Sequence, residues 1–468
     1  MITEKADFIN DQLINDLLKE GQKAPRGVVE EIITKAGKAQ GLTPQETAIL
    51  LQVDQPDLLE KIFTTAGRIK EDIYGRRLVF FAPLYISDYC VNNCRYCGYR
   101  RENNFSRRRL SQAEIEREVR VLEEMGHKRL ALECGEDPQH CPIEYVLESI
   151  KTIYSVKEKA GSIRRINVNI AATTVENYRL LQEAGIGTYI LFQETYHRPT
   201  YALMHQAGPK TDYDWHTCAM DRAMAGGIDD VGLGVLFGLY DYKYEVLALL
   251  LHALHLEETF GVGPHTISFP RLRPALGMEL NAFPHLVSDA EFKKVVALVR
   301  LAVPYTGMLI STRESPAFRN ELCKMGISQL SAGSCTGVGG YYNEKMGLNA
   351  GNETPQFALE DLRSLDEIVH SVCQAGYIPS FCTACYRSGR TGDRFMPLAK
   401  SGEIQNVCQP NAILTFKEFL QDYASPETKQ AGEAAIAEQL KHIGNKAIAA
   451  KTVTELGRIT AGTRDLYF

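Results

Sequence analysis

The chain is 468 residues long, with 44% hydrophobic and 24% charged residues, a globular composition that excludes collagen-like, fibrous and disordered classes. Lys and Arg total 52 against 58 Asp and Glu, and the net charge of −6 excludes a general electrostatic affinity for nucleic acid. The 12 cysteines are the unusual count; in a large chain without a secretion signal they point to metal ligands or thiols rather than disulfides.

Residues Met1–Leu18 mix acids with apolar residues at helical spacing and resemble neither a secretion signal nor a transit peptide. The longest apolar stretch, Val246–Leu256, is interrupted by His252 and His255 and is too short to span a bilayer. A cytoplasmic protein with neither a membrane nor a nucleic-acid partner is therefore expected. Residues 1–77 read as an N-terminal helical extension, with clear periodicity over Thr43–Val53.

From Leu78 the texture changes to short β-rich runs alternating with amphipathic helical segments. The eight runs are Leu78–Ile86, Arg129–Glu133, Ile166–Ala171, Thr188–Gln193, Asp230–Leu236, His265–Arg271, Met308–Thr312 and Gln329–Ala332. Ser111–Gly126, Ile143–Lys159 and Tyr242–Phe260 have helical length, and Gly126, Gly185, Gly227 and Gly326 close helices. Such alternation implies βαβ units. Eight units over residues 78–375 make the fold class α/β, a (β/α)8 TIM barrel, with a doubly wound open sheet as the competing arrangement. The Gly-rich stretch Cys335–Asn352 breaks the rhythm before a last barrel helix near Leu362–Ala375. Its Gly337-Val-Gly-Gly340 does not follow a strand into a helix and is no dinucleotide site. Residues 376–468 form a C-terminal domain, coil with turns to about Gln409 and mostly helical from Phe416.

The first strand runs into Ser87-Asp-Tyr-Cys-Val-Asn-Asn-Cys-Arg-Tyr-Cys97, placing Cys90, Cys94 and Cys97 at C-x3-C-x2-C spacing. Three thiolates on one polar loop suit three irons of a [4Fe-4S] cube and leave the fourth open. A zinc site would want a fourth ligand nearby, and the loop holds none. With Tyr96 before the last cysteine, the segment resembles the signature of the radical S-adenosylmethionine (SAM) superfamily. That resemblance implies that the open iron chelates SAM and that electron transfer generates a 5′-deoxyadenosyl radical. It also implies SAM contacts at Tyr96, at Gly135 and Glu136 in Leu132-Glu-Cys-Gly-Glu136, and at Glu194 in Gln193-Glu-Thr195; Cys134 departs from the family's first glycine there. The latter two segments end strands 2 and 4, where barrel enzymes build active sites.

Cys382, Cys385 and Cys408 form a second group, C-x2-C-x22-C, which reads as a metal site or, for the pair alone, a redox disulfide. Because the first cluster follows strand 1 and the second follows the last barrel helix, they fall at opposite mouths. About seven strand residues at about 3.3 Å each place them roughly 20–25 Å apart. The pairing is similar to that of the tyrosine-lyase maturases of [FeFe]-hydrogenase. That family implies L-tyrosine as substrate, cleaved at Cα–Cβ to p-cresol and dehydroglycine, which breaks down to carbon monoxide and cyanide. It implies that the auxiliary cluster, a cubane with an additional iron, assembles them as an Fe(CO)(CN) unit, and that His265 ligates that iron. It further implies a reductant such as flavodoxin or ferredoxin and other hydrogenase maturation proteins as partners.

An amino-acid carboxylate needs an anchor. Arg313 after strand 7 and Ser331 on strand 8 are the candidates, with Arg271 and Arg273 as rivals. The basic loop of Arg100-Arg101 and Arg107-Arg108-Arg109 is either solvated surface or a dock for an acidic electron donor. Cys141, Cys218, Cys323, Cys335 and Cys373 read as small packed hydrophobes. The thiamine-pathway tyrosine lyase (2-iminoacetate synthase), a sulfur-inserting enzyme resembling biotin synthase, and a non-catalytic iron–sulfur scaffold are the alternatives.

Overall fold

The computed structural model describes residues 4–158, 161–348 and 354–468. The ends of three sequence-read segments, at Met1, Lys159 and Asn352, lie outside the described residues. Nine parallel strands form the sheet: β1 (Arg77–Ser87), β2 (Arg129–Cys134), β3 (Arg165–Asn169), β4 (Tyr189–Ile190), β5 (Val231–Gly234), β6 (Thr266–Ser268), β7 (Gly307–Ile310), β8 (Gln329–Ser331) and β9 (Ile378–Ser380). Each of β1–β8 pairs with its sequence neighbours and β8 closes on β1, with Val79 opposite Gln329 and Phe81 opposite Ser331. The expected (β/α)8 barrel is therefore what the chain adopts, and the open sheet is excluded.

Helices return the chain after every barrel strand. Gln112–Met125, Asp289–Ala302 and Leu365–Gln374 begin at Ser111, Ser288 and Ser364, each locked by a reciprocal bond with the Glu three residues on. Tyr242–Phe260 carries the bounds read from its periodicity. Of the strand expected over Thr188–Gln193, only Tyr189–Ile190 is regular, but the backbone keeps bonding to the β5 segment as far as Glu194, which sits at φ 68°. Among the described residues, no helix is long and apolar enough to cross a membrane.

The N-terminal extension forms helices Asp11–Gly21, Arg26–Ala36, Pro44–Leu50 and Pro56–Tyr74. The last packs on the barrel helix Asp289–Ala302, and the Tyr74 hydroxyl donates to the Tyr305 carbonyl.

The segment 376–409, expected as coil, is structured. It contains β9, which pairs with the start of β1 (Arg77 opposite Ile378), then helices Ala384–Arg387, Gly392–Ser401 and Gln405–Asp422. Pro397 and Pro410 lie inside the second and third of these helices. Tertiary packing outweighs the roughly 3 kcal/mol that an interior proline costs. Helices Pro426–Lys441 and Lys446–Thr460 complete the chain.

Phe381 joins this region to the barrel: 2% exposed, its ring stacks on Phe80 at 5.8 Å and on Phe419 at 4.9 Å. Phe381→Ala should cost about 3–5 kcal/mol, read as a lowered guanidinium midpoint. An unchanged midpoint would show that the C-terminal helices are held by other contacts.

Candidate functional site

Inward-facing residues of a barrel strand recur at every second position. Along β1 these are Arg77, Val79, Phe81, Pro83 and Tyr85, and the series divides between two cavities. The upper cavity, of about 190 Å³, is lined by Phe81, Pro83 and Tyr85 together with Ala131 and Glu133 of β2, Ser268 of β6, Leu309 of β7 and Ser331 of β8. The lower, of about 60 Å³, takes Arg77, Val79, Arg129, Gly307 and Gln329, the residues one or two inward steps earlier on the same strands.

Cys90, Cys94, Cys97, Tyr96, Gly135, Glu136, Glu194, Arg313 and Ser331 all line the upper cavity. Local contacts clamp the cysteine loop on three sides. Val91 N donates to the Glu136 carbonyl at 2.8 Å, Arg95 N to Met204 O at 3.0 Å, and Gly98 N to Gln356 O at 3.0 Å. Gly135 is required by this fit, since a Cβ there would lie 2.2 Å from the Tyr89 carbonyl oxygen. Asn92 bridges the loop to Glu136, its amide donating to Oε2 at 2.5 Å. The Tyr96 hydroxyl donates to Nε2 of His205, whose Nδ1–H donates to the Tyr201 carbonyl, so the aromatic of the cysteine motif is held in one orientation.

Glu194 reaches the cavity from a left-handed backbone conformation, a strain on the order of 1–3 kcal/mol in a non-glycine residue. Its neighbours Gln193 and Thr195 turn away, bonding Thr217 and Glu245. The Lys210 ammonium pairs with Glu194 at 3.0 Å. Burial works against this ammonium's charge, but Glu194 and the Cys94 thiol hold its pKa above the ordinary lysine value. Burial pushes the Cys90 and Cys94 thiols up and Cys97 to about 11, so cluster ligation has to supply their deprotonation.

Arg313 lies over the Phe357 ring, 3.2 Å from its centroid, and its guanidinium forms no ion pair among the described residues. Its rivals are spent elsewhere: Arg271 binds Glu314 and Asp289, and Arg273 binds Glu314 and Glu360. Ser331 Oγ accepts from Thr312 N at 3.1 Å, which leaves its proton for a guest. The cavity also holds Glu133, Lys210, Tyr85 and Gln356, which sequence reasoning had not singled out. Glu133 was in view as part of a motif, but burial is what makes it chemical: it is pushed up to about 7, with Arg313 opposing.

The lower cavity brings Cys382, Cys385 and Cys408 together with His265. A hydrogen bond from Cys408 pulls Cys385 down to about 6, with Arg390 assisting; the same bond and burial push Cys408 up, and burial raises Cys382. His265 approaches Asp230 through Nδ1 at 3.4 Å and the Tyr386 hydroxyl through Nε2, also at 3.4 Å. Burial lowers its pKa against the pull of Asp230, favouring the neutral ring that a metal ligand needs.

Two sequence readings change. Arg107 gives its guanidinium to the carbonyls of Asp88, Tyr99 and Arg100; Arg108 binds Glu114, and Arg109 lies over Tyr145. Those three arginines are structural, because the loop after the cluster needs donors for its unpaired carbonyls. Cys141 is more than a packed hydrophobe, since its thiol shares a hydrogen bond with Cys134 on the cavity wall.

Residues 84–253 match the family model of the radical SAM superfamily, and residues 268–378 that of the Biotin and Thiamin Synthesis associated domain. The chain is 62% identical to a crystallised HydG, a maturase of the [FeFe]-hydrogenase; the match covers 99% of this chain and 100% of that one with a TM-score of 0.96. HydG from Carboxydothermus hydrogenoformans is 40% identical, with 96% and 99% covered and a TM-score of 0.83. The 2-iminoacetate synthase of Salmonella typhimurium is 30% identical over 348 residues, 74% of this chain and 89% of that one.

Glu133 supplies a pH signature. A carboxyl raised on folding stabilises the fold while protonated, below about pH 4.5, and loses that contribution as pH rises through about 7. Glu133→Gln should therefore gain stability over the parent between about pH 5 and 8, by on the order of 1–3 kcal/mol. Urea unfolding across that range checks this; parallel curves for the two proteins would refute it.

Proposed function

The chain belongs to the radical SAM tyrosine-lyase family that includes the HydG maturases of [FeFe]-hydrogenase, and from that membership we infer that it cleaves L-tyrosine between Cα and Cβ to p-cresol and dehydroglycine. A [4Fe-4S] cluster with SAM is the cofactor of that family. The convergence of Cys90, Cys94, Cys97, Gly135, Glu136, Glu194 and Arg313 on one cavity carries the reading.

The three thiols fit three irons of a cubane, and the cavity beside them leaves the fourth open to a ligand. When bound, cluster and SAM supply one-electron cleavage of the sulfonium to a carbon radical that takes hydrogen from the substrate. The protein's part is positioning and exclusion of water. Gly135 and Glu136 receive the SAM amino group on the face that Asn92 ties to the loop. Glu194 receives the ribose, its strained backbone aiming the carboxylate and Lys210 fixing it. Arg313 anchors the tyrosine carboxylate, with the Ser331 hydroxyl as second donor, and the apolar wall of Phe81, Leu309 and Phe269 excludes water.

We assign the lower triad to an auxiliary cluster with an additional iron on His265, where carbon monoxide and cyanide from dehydroglycine are assembled as an Fe(CO)(CN) precursor. His265 on the same wall as the three cysteines supports this. So does the extent of the HydG match, 99% of the chain against 74% for 2-iminoacetate synthase. An electron donor such as flavodoxin or ferredoxin and other hydrogenase maturation proteins complete the reading, with Arg100 and Arg101 left as the basic docking residues.

Anaerobic assay with SAM, dithionite and tyrosine tests it. The parent should yield p-cresol, carbon monoxide and cyanide. Cys382→Ala with Cys385→Ala should keep p-cresol formation and lose the iron-bound diatomics; loss of both together would refute separate sites. Arg313→Gln should lower kcat/KM for tyrosine by roughly 10- to 150-fold, matching about 1.5–3 kcal/mol for a charged hydrogen bond, with SAM binding by calorimetry unchanged. An unaffected kcat/KM would remove Arg313 from the site.

A further inference from the structure

We propose that Arg77 and Arg129 are the built-in counter-charges of the lower cluster, and that they poise it at a more positive reduction potential than the upper one. This rests on the assignment of Cys382, Cys385 and Cys408 to a cluster.

Arg77 opens β1 and Arg129 opens β2, both on the inward parity, so both side chains enter the lower cavity beside the three cysteines. They are 7% and 6% exposed. The Nε of each is buried without a hydrogen-bond partner, and neither guanidinium has an ion pair among the described residues. Aromatic faces offset part of the cost: Arg77 lies 5.1 Å from the Tyr74 ring centroid and Arg129 5.2 Å from that of Tyr386.

A buried cation without an anion is strongly destabilising. The carboxylate on this wall, Asp230, is turned to His265 and accepts from Gly392 N at 3.1 Å. Asp230 can answer only one of the two guanidinium charges, so the rest of the matching negative charge comes from the cavity's occupant, and three cysteine thiolates carrying a cluster are an anion of the right place and size.

The upper cavity is arranged oppositely. Its carboxylates outnumber its cations: Glu133, Glu136 and Glu194 line the wall against Lys210, which pairs with Glu194, and Arg313, which has no ion pair among the described residues. The potential of an iron–sulfur cluster follows the net charge around it. Unmatched positive charge stabilises the reduced, more negative form, so the lower centre takes up an electron more readily than the upper.

The test is an EPR-monitored redox titration of the reconstituted full chain with dithionite, alongside iron analysis. A Cys94→Ala background isolates the lower signal. Arg77→Gln and Arg129→Gln should each shift the lower midpoint to more negative potential, and the pair together further. Arg77→Lys and Arg129→Lys should hold it near the parent value, and in the chain with both clusters the upper midpoint should not move. Gln variants with full iron and an unshifted midpoint would overturn the proposal, as would a parent lower centre more negative than the upper. If the Gln variants lose lower-cluster iron, retention in the Lys variants supports the charge role, and loss in both overturns it in favour of packing. Iron for a single cluster in the parent chain would sink the cluster assignment itself, seen before any arginine is changed.

Discussion

A closed parallel barrel allows each strand only every second side chain inside, and this parity is the constraint from which the two sites follow. On β1 the inward series begins with a charge, passes through Val79 and Phe81, and ends in polar and aromatic residues at the cysteine loop. The same order recurs on β2 as Arg129, Ala131 and Glu133, while β8 turns the neutral Gln329 to the lower cavity and Ser331 to the upper. Slipping any strand by one residue would turn these groups out to the helices and erase both cavities at once.

The eight strands were legible because short β-branched runs separated by helix-length segments leave little choice of architecture. The location of the second cysteine group was legible for the same reason: chain direction alone puts a segment that follows the last helix under the barrel. The segment carrying it was not. Up to Pro410 it holds prolines and glycines whose local preference is for turns, yet it forms helices, whereas the helix expected from Phe416 is present. Glu133, Lys210 and Gln356 escaped because nothing local marks them. Lys210 reaches the cavity from the long β4–β5 connection, and Gln356 from a loop 259 residues beyond Cys97, whose sulfur its amide faces at 3.8 Å.

The arginines show how little residue type says without burial. Five follow the first cysteine loop within a dozen residues, yet three of them satisfy carbonyls, a carboxylate and an aromatic ring. Arg271 and Arg273 looked equivalent to Arg313 in sequence. Their shared partner Glu314 is 0% exposed, and a buried carboxylate demands just such cations. What singles out Arg313 is that its partner has been withheld, a feature that exists only in three dimensions.

The two cavities are close neighbours inside one cylinder. Val79 lines the lower and Phe81 the upper, so along β1 the change from one to the other takes a single inward step, about 6.6 Å. Phe81, Ala131 and Leu309 form the apolar layer at that step, only 7%, 3% and 7% exposed. A layer of this kind separates the two cavities. Ala131 contributes only a methyl group to it, between the larger side chains of Phe81 and Leu309. A fully packed barrel interior would have stabilised the fold more; the interior given up to two cavities is offset by the helices wrapped outside and by β9 buttressing the start of β1, beside the charged floor.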